Sequence, residues 1–183
     1  MSVADFNQDG APDLYIGNDF HEDDYFYLNN QDGTFVESLK TYFTHTSRFS
    51  MGNDAADINN DGWPDLISLD MLPQEESLVK SSEGDDPVQT LRMRTEQYGY
   101  HFQFSRNMLF VSQPHQPYLE TALYSGVAAT DWSWSALFGD YDQDGQQDLF
   151  ISNGIVRRPN NLDYIKFISN QEIQRQTSIR FQN

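Results

Sequence analysis

Asp57-Ile58-Asn59-Asn60-Asp61-Gly62-Trp63-Pro64-Asp65-Leu66-Ile67-Ser68 is the stretch from which the rest of the chain can be read. Acidic or amide residues stand at its first, third, fifth and ninth positions, glycine stands at the sixth, and an apolar run follows. The pattern recurs upstream as Asp5-Phe6-Asn7-Gln8-Asp9-Gly10-Ala11-Pro12-Asp13-Leu14-Tyr15-Ile16. It recurs downstream as Asp140-Tyr141-Asp142-Gln143-Asp144-Gly145-Gln146-Gln147-Asp148-Leu149-Phe150-Ile151. The shared form is D-x-[DN]-x-D-G-x-x-D-L. Composition does not produce three copies of so tight a constraint, so the chain is a repeat.

The copies begin at Asp5, Asp57 and Asp140, so their spacing is uneven. Tyr25-Phe26-Tyr27-Leu28, the turn Asn29-Asn30-Gln31-Asp32-Gly33 and Thr34-Phe35-Val36-Glu37-Ser38 follow the first copy as a hairpin. The matching pieces after the second copy come late, as Met108-Leu109-Phe110-Val111 and Tyr118-Leu119-Glu120-Thr121. An insertion over residues 72–106 accounts for the delay. Within it, Asp86-Pro87 opens a helix that Gly99 stops, with Val88, Leu91, Thr95 and Tyr98 on one face. Each unit therefore reads as four short strands: one before the acidic loop, one after it, then the hairpin. The run Ser47-Arg48-Phe49-Ser50-Met51-Gly52 corresponds to Asp131-Trp132-Ser133-Trp134-Ser135-Ala136, each as loop and beginning of an innermost strand.

Four-stranded units repeating every ~40–50 residues are the mark of propeller blades. The expected class is all-β, a partial β-propeller of about two and a half blades with helical insertions. The blades cover residues 3–39, residues 47–123 with the insertion 72–106, and residues 131–183. The last is incomplete and carries a helix over about 161–176. Repeat units bury their faces against neighbours and a propeller closes with about four to eight blades, so we expect the chain to be a fragment. Met1-Ser2-Val3 runs straight into a strand with no signal region, which fits the same expectation.

Alternate residues of a tight acidic loop can wrap a hard cation such as Ca²⁺, which takes 6–8 oxygen ligands. Side-chain ligands would come from Asp5, Asn7, Asp9 and Asp13; from Asp57, Asn59, Asp61 and Asp65; and from Asp140, Asp142, Asp144 and Asp148. Position seven would lend a backbone carbonyl, which leaves Ala11, Trp63 and Gln146 free to differ. EF-hand and dockerin loops need a bidentate carboxylate at position twelve, where Ile16, Ser68 and Ile151 stand, so both are excluded. Carboxylates this close repel by ~1 kcal/mol per pair at 4 Å even in water. The third loop has four aspartates where the others have three and an asparagine. It is therefore expected to bind Ca²⁺ most tightly, and chelation is expected to destabilise the fold.

The D-x-[DN]-x-D-G-x-x-D-L loop within a four-stranded repeat resembles the FG-GAP or VCBS repeats of integrin-α-like propellers. Trp132-Ser133-Trp134-Ser135 leading into Asp140-Tyr141-Asp142 further resembles bacterial secreted proteins related to cartilage acidic protein, the ASPIC/UnbV group. The resemblance implies Ca²⁺ on the residues named above and an extracellular or cell-envelope setting. It implies no established reaction. The insertion after the second loop and the helix after the third depart from it.

Composition narrows the remaining classes. Lys and Arg number 11 against 28 Asp and Glu, a formal charge of −17, so nucleic acid and anionic lipid are not expected partners. There is no cysteine, which removes disulfides, thiolate metal sites and a Cys nucleophile. No run approaches the ~20 apolar residues of a membrane helix. His21, His45, His101 and His115 lack ligand spacing and read as surface or turn residues. His21-Glu22-Asp23-Asp24 reads as a solvated acidic turn. Tyr98, Tyr100, His101, Phe102 and Phe104 alternate as a strand with one buried face would. Trp132 and Trp134 read as core, with a sugar-stacking platform as the alternative. The leading function is a binding or adhesion module for protein or glycan, against a polysaccharide-acting enzyme or a structural spacer.

Overall fold

The computed structural model describes residues 1–20, 22–82 and 87–170. Strands β1 (Ser2–Ala4), β2 (Asp13–Ile16), β3 (Tyr25–Asn29) and β4 (Phe35–Glu37) form a four-stranded antiparallel meander. A turn closes its outer hairpin, in which the Asn30 amide donates to the Thr34 carbonyl at 3.0 Å. After helix α1 (Leu39–Tyr42) and strand β5 (Thr46–Ser47) comes β6 (Asn53–Ala56), which pairs with β7 (Asp65–Ser68). The insertion places helices α2 (Glu76–Ser81) and α3 (Val88–Arg92), the π-turn Met93–Gln97 and strand β8 (Gln103–Phe104) before the chain returns. It returns as β9 (Met108–Val111) and β10 (Leu119–Glu120), completing a second sheet in the order β6-β7-β9-β10. Strands β11 (Ser133–Gly139) and β12 (Asp148–Asn153) make a two-stranded third sheet, followed by helix α4 (Leu162–Ser169).

The sheets stack, and the period-two alternation of a strand dictates how. Leu66, Met108 and Phe110 face one way and join Tyr15, Phe26 and Phe43 in a core between the first and second sheets. Their neighbours Ile67 and Leu109 face the other way and join Ala128 and Ala136 between the second and third. Each residue of β7 is accordingly buried, whereas β2 alternates and β12 is largely open. Phe43 lies at the first seam, its ring edge-on to Phe110 at 4.8 Å and stacked on Tyr118 at 4.8 Å. The first strands of the three sheets also meet, with β6 between β1 and β11. Ser2 Oγ donates to Asn53 Oδ1 at 2.8 Å, and the Phe138 amide donates to Asp54 Oδ2 at 2.8 Å.

The described residues are thus mainly antiparallel strands with short helices, as the all-β expectation requires. Several local expectations need correction. Ser47 belongs not to the second sheet but to β5, which pairs in parallel with β8. The helix expected from Asp86 is α3 with its π-turn; Asp86 itself lies outside the described residues, as do His21 and residues 171–183. Its apolar face is open at both ends, with Val88 68% and Tyr98 66% exposed, while Leu91 and Thr95 between them are half-buried. The buried side chain is instead Arg94, which bonds Gln103 Oε1 at 2.6 Å and lies over the Tyr100 ring. The helix expected over 161–176 begins at Leu162, where the Asn161 side chain accepts the Tyr164 amide at 3.0 Å.

The acidic turn 21–24 is not solvated throughout. Asp24 is fully buried, accepting Tyr15 Oη at 2.5 Å, Ser50 Oγ at 2.9 Å and the Asn18 amide at 2.8 Å. It thereby ties the first sheet to the segment that enters the second. Burial pushes its pKa up to about 6, against the lowering effect of those three donors. Because the folded form holds its proton more tightly than the unfolded one, Asp24 stabilises most below about pH 4. That contribution declines as pH rises through about 6. Asp24→Asn is expected to remove this slope. In urea unfolding, the stability of the wild type relative to the variant should fall by about 2–3 kcal/mol between pH 4 and 7.

Candidate cation-binding loops

The three acidic segments each connect the first two strands of a sheet and fold with the same hydrogen bonds. In the first, Asp5 accepts the Asp9 and Gly10 amides at 3.0 and 2.9 Å, and Asp9 accepts the Ala11 amide at 2.9 Å. In the second, Asp57 accepts Asp61 and Gly62 at 3.0 and 2.8 Å, and Asp61 accepts Trp63 at 2.8 Å. In the third, Asp140 accepts Asp144 and Gly145 at 3.0 Å each, and Asp144 accepts Gln146 at 2.8 Å. Asn7, Asn59 and Asp142 at position three each accept the amide of position five. The bend needs two left-handed residues: Gln8, Asn60 and Gln143 at φ 57°, 58° and 64°, then Gly10, Gly62 and Gly145 near 90°. Glycine meets the second without steric cost.

The loops differ where their sequences differ. Asn7 Nδ2 and Asn59 Nδ2 donate to the carboxylates of Asp9 and Asp61, both at 2.9 Å. Asp142 cannot donate when ionised, so the third loop has a carboxylate where the other two have an amide donor. Asp140, Asp142 and Asp148 each offer a carboxylate oxygen within 4.8 Å of the other two. Oxygens bound to one Ca²⁺ at 2.3–2.6 Å lie no more than about 5 Å apart, so the spacing fits a shared ion. The donors are all hard oxygens, and residues 140–148 are all solvent-exposed. Asp144 is not part of the cluster, its carboxylate being turned to the Gln146 amide.

Position nine has a second role. Asp13 is fully buried and accepts the Phe6 amide at 2.9 Å and, from β3, the Asn29 amide at 2.8 Å. Asp65 repeats this with Ile58 at 3.0 Å and Ser112, just beyond β9, at 2.7 Å. Burial raises the pKa of both, that of Asp65 to about 6, with its amide donors opposing. Asp148 accepts the Tyr141 amide at 3.0 Å but stays exposed, because no third strand pairs with β12 among the described residues.

Sequence reasoning missed the contact between loops. Gln8 Nε2 donates to the Gly62 carbonyl, and Asn60 Nδ2 reaches Gln146 Oε1 at 3.0 Å and the Gly145 carbonyl at 3.4 Å. The signal was present: position four carries an amide side chain in each copy. Two histidines are also less ordinary than their spacing suggested. His101 is half-buried with Nε2 2.8 Å from the Phe43 carbonyl, and His45 lies 3.6 Å from Glu120, which Arg106 holds at 2.8 Å. Burial opposes, but these two side chains and the Ala122 amide bring the Glu120 pKa to about 2.

The sequence profile of the FG-GAP-like repeat matches residues 5–68, from the first acidic loop through the end of β7. That stretch therefore carries an FG-GAP-like repeat. A comparison with curated proteins gave no match. No helix among the described residues is long and apolar enough to cross a membrane.

Asp65→Ala leaves two backbone amides without their acceptor, one buried and one partly buried, whereas Asp148→Ala frees one amide to water. With a chelator present, urea unfolding should show a loss of about 2–4 kcal/mol for the first and under about 1 kcal/mol for the second.

Proposed function

We propose that the chain is a calcium-binding propeller-repeat module that serves extracellular protein or glycan binding. The carrying observation is the convergence of Asp140, Asp142 and Asp148 in a loop whose hydrogen-bond pattern occurs three times. The first two sheets are two blades over residues 3–39 and 47–123, and the third is the inner half of a blade within 131–183. The shared first-strand contacts of β1, β6 and β11 support a radial arrangement around an axis on that side. The FG-GAP-like match supports the binding role and the extracellular or cell-envelope setting, where calcium is plentiful. The Trp-Ser-Trp-Ser run adds the resemblance to the cartilage acidic protein and ASPIC/UnbV group.

Ca²⁺ would be held in the third loop by Asp140, Asp142, Asp144 and Asp148, with the Gln146 carbonyl as a further oxygen. The first two loops would use Asp5, Asn7, Asp9, the Ala11 carbonyl and Asp13, and Asp57, Asn59, Asp61, the Trp63 carbonyl and Asp65. An ion there supplies charge neutralisation and rigidity. The asparagines of these two loops already bridge to a neighbouring carboxylate, which lowers their need for a cation. The third loop has no such bridge and binds most tightly.

Calorimetric titration of the metal-free protein should resolve a tightest Ca²⁺ site that Asp142→Asn weakens at least about tenfold. At Ca²⁺ a hundredfold above that Kd, the fold gains about 2.7 kcal/mol, read as a higher Tm that excess chelator reverses. Equal affinity at all three loops, or no heat and no Tm shift, would overturn the reading.

A further inference from the structure

The two ends of the stacked sheets are built differently. At one end lies an apolar cavity of about 460 Å³, lined in part by Trp132 and by Trp134, which is 47% exposed rather than packed in a core. At the other end lie the acidic loops, and there the sheets meet through polar groups. These contacts run in one direction along the chain. Position four of the first loop reaches position six of the second, Gln8 Nε2 donating to the Gly62 carbonyl. Position four of the second reaches positions six and seven of the third. Asn60 Nδ2 donates to Gln146 Oε1 at 3.0 Å and, more weakly, to the Gly145 carbonyl at 3.4 Å.

Each contact holds the peptide unit between positions six and seven. Its carbonyl accepts from the preceding loop. Its N–H donates within its own loop to the position-five carboxylate, Trp63 to Asp61 and Gln146 to Asp144, both at 2.8 Å. A peptide is planar, so fixing one end fixes the other. The preceding loop therefore steadies the Asp61 or Asp144 carboxylate and the entry to position seven. The position-five carboxylate and the position-seven carbonyl are two of the oxygens by which Ca²⁺ would be held. The brace acts where the backbone is otherwise least restrained. Gly62 and Gly145 stand at φ 90° and 86°, and glycine has the widest choice of conformations. The first loop has no acidic loop before it among the described residues, and its own sheet braces it instead. Gln31 Nε2, from the β3–β4 turn, donates to the Asp9 carbonyl at 2.9 Å.

We infer that Gln8 and Asn60 are positioning residues for the cation site of the following loop, so that each sheet tunes the calcium affinity of the next. This rests on the calcium reading and deepens it, since neither side chain is a ligand there. Linkage is reciprocal, so the Asn60 contact in turn strengthens when the third loop is filled. The contacting residues are exposed, which keeps the effect to that of one ordinary hydrogen bond.

Calorimetric titration of the full chain with CaCl₂ tests it at the tightest site, the one that Asp142→Asn weakens. Asn60→Gly keeps the left-handed backbone but loses the amide, and should weaken that site about 3–10-fold. Asn60→Asp keeps the shape without the N–H and should weaken it as well, although added negative charge alone would tighten it. Asn60→Gln carries the amide that the first and third loops have at this position, and should bind within about twofold of wild type. In excess chelator the variants should melt within about 2 °C of wild type, because an exposed side chain is altered far from either core. Affinity within about twofold of wild type in both Asn60→Gly and Asn60→Asp would overturn the inference, as would an equal loss in Asn60→Gln. In those cases wild-type binding and its Asp142→Asn response stand, so the calcium reading survives. Absence of Ca²⁺ binding by the wild type would instead remove both.

Discussion

Asp65 accepts the amides of Ile58 and Ser112, and Asp13 those of Phe6 and Asn29, so a single carboxylate ties each of the first two acidic loops to a strand beyond it. Much else follows from that pair of hydrogen bonds. It fixes where the loop ends, which sets the register of the second strand and hence which residues face which core. With Asp65 in place, Leu66 enters the first core and Ile67 the second. A one-residue slip would exchange them, since side chains alternate along a strand. The ninth position is therefore a structural clasp in the first two loops and joins an open carboxylate cluster in the third.

The same loop chemistry answers the repulsion that so acidic a sequence invites. Carboxylates at positions one and five are held by the amides of their own bend, and in two loops an asparagine bridges to the fifth-position carboxylate. The third loop has an aspartate in place of that asparagine. Its carboxylates accept backbone amides but have no side-chain donor beside them, and this is why the proposed cation is assigned there first.

The loops and the order of strands were legible because both depend on local chemistry: a glycine bend, a period of two, a hairpin turn. What was illegible depends on contacts between units. Asp24 looked like part of a charged turn because nothing nearby in sequence announces Tyr15 and Ser50 as its partners. Val88 and Tyr98 share a helix face with Leu91 and Thr95, yet the buried side chains that anchor the insertion are Arg94 and Gln103. Trp132 and Trp134 looked like core, and only the stacking of the sheets reveals the cavity they line. The position-four amides could have been noticed in all three copies. Their reach to the next loop appears only once β1, β6 and β11 lie side by side.

Crystals grown without calcium and soaked in a terbium salt would locate bound cations directly through anomalous scattering. The account predicts the strongest peak among the carboxylates of Asp140, Asp142 and Asp148, with weaker peaks or none at the first two loops. Density elsewhere on the surface, with none between those three side chains, would contradict it.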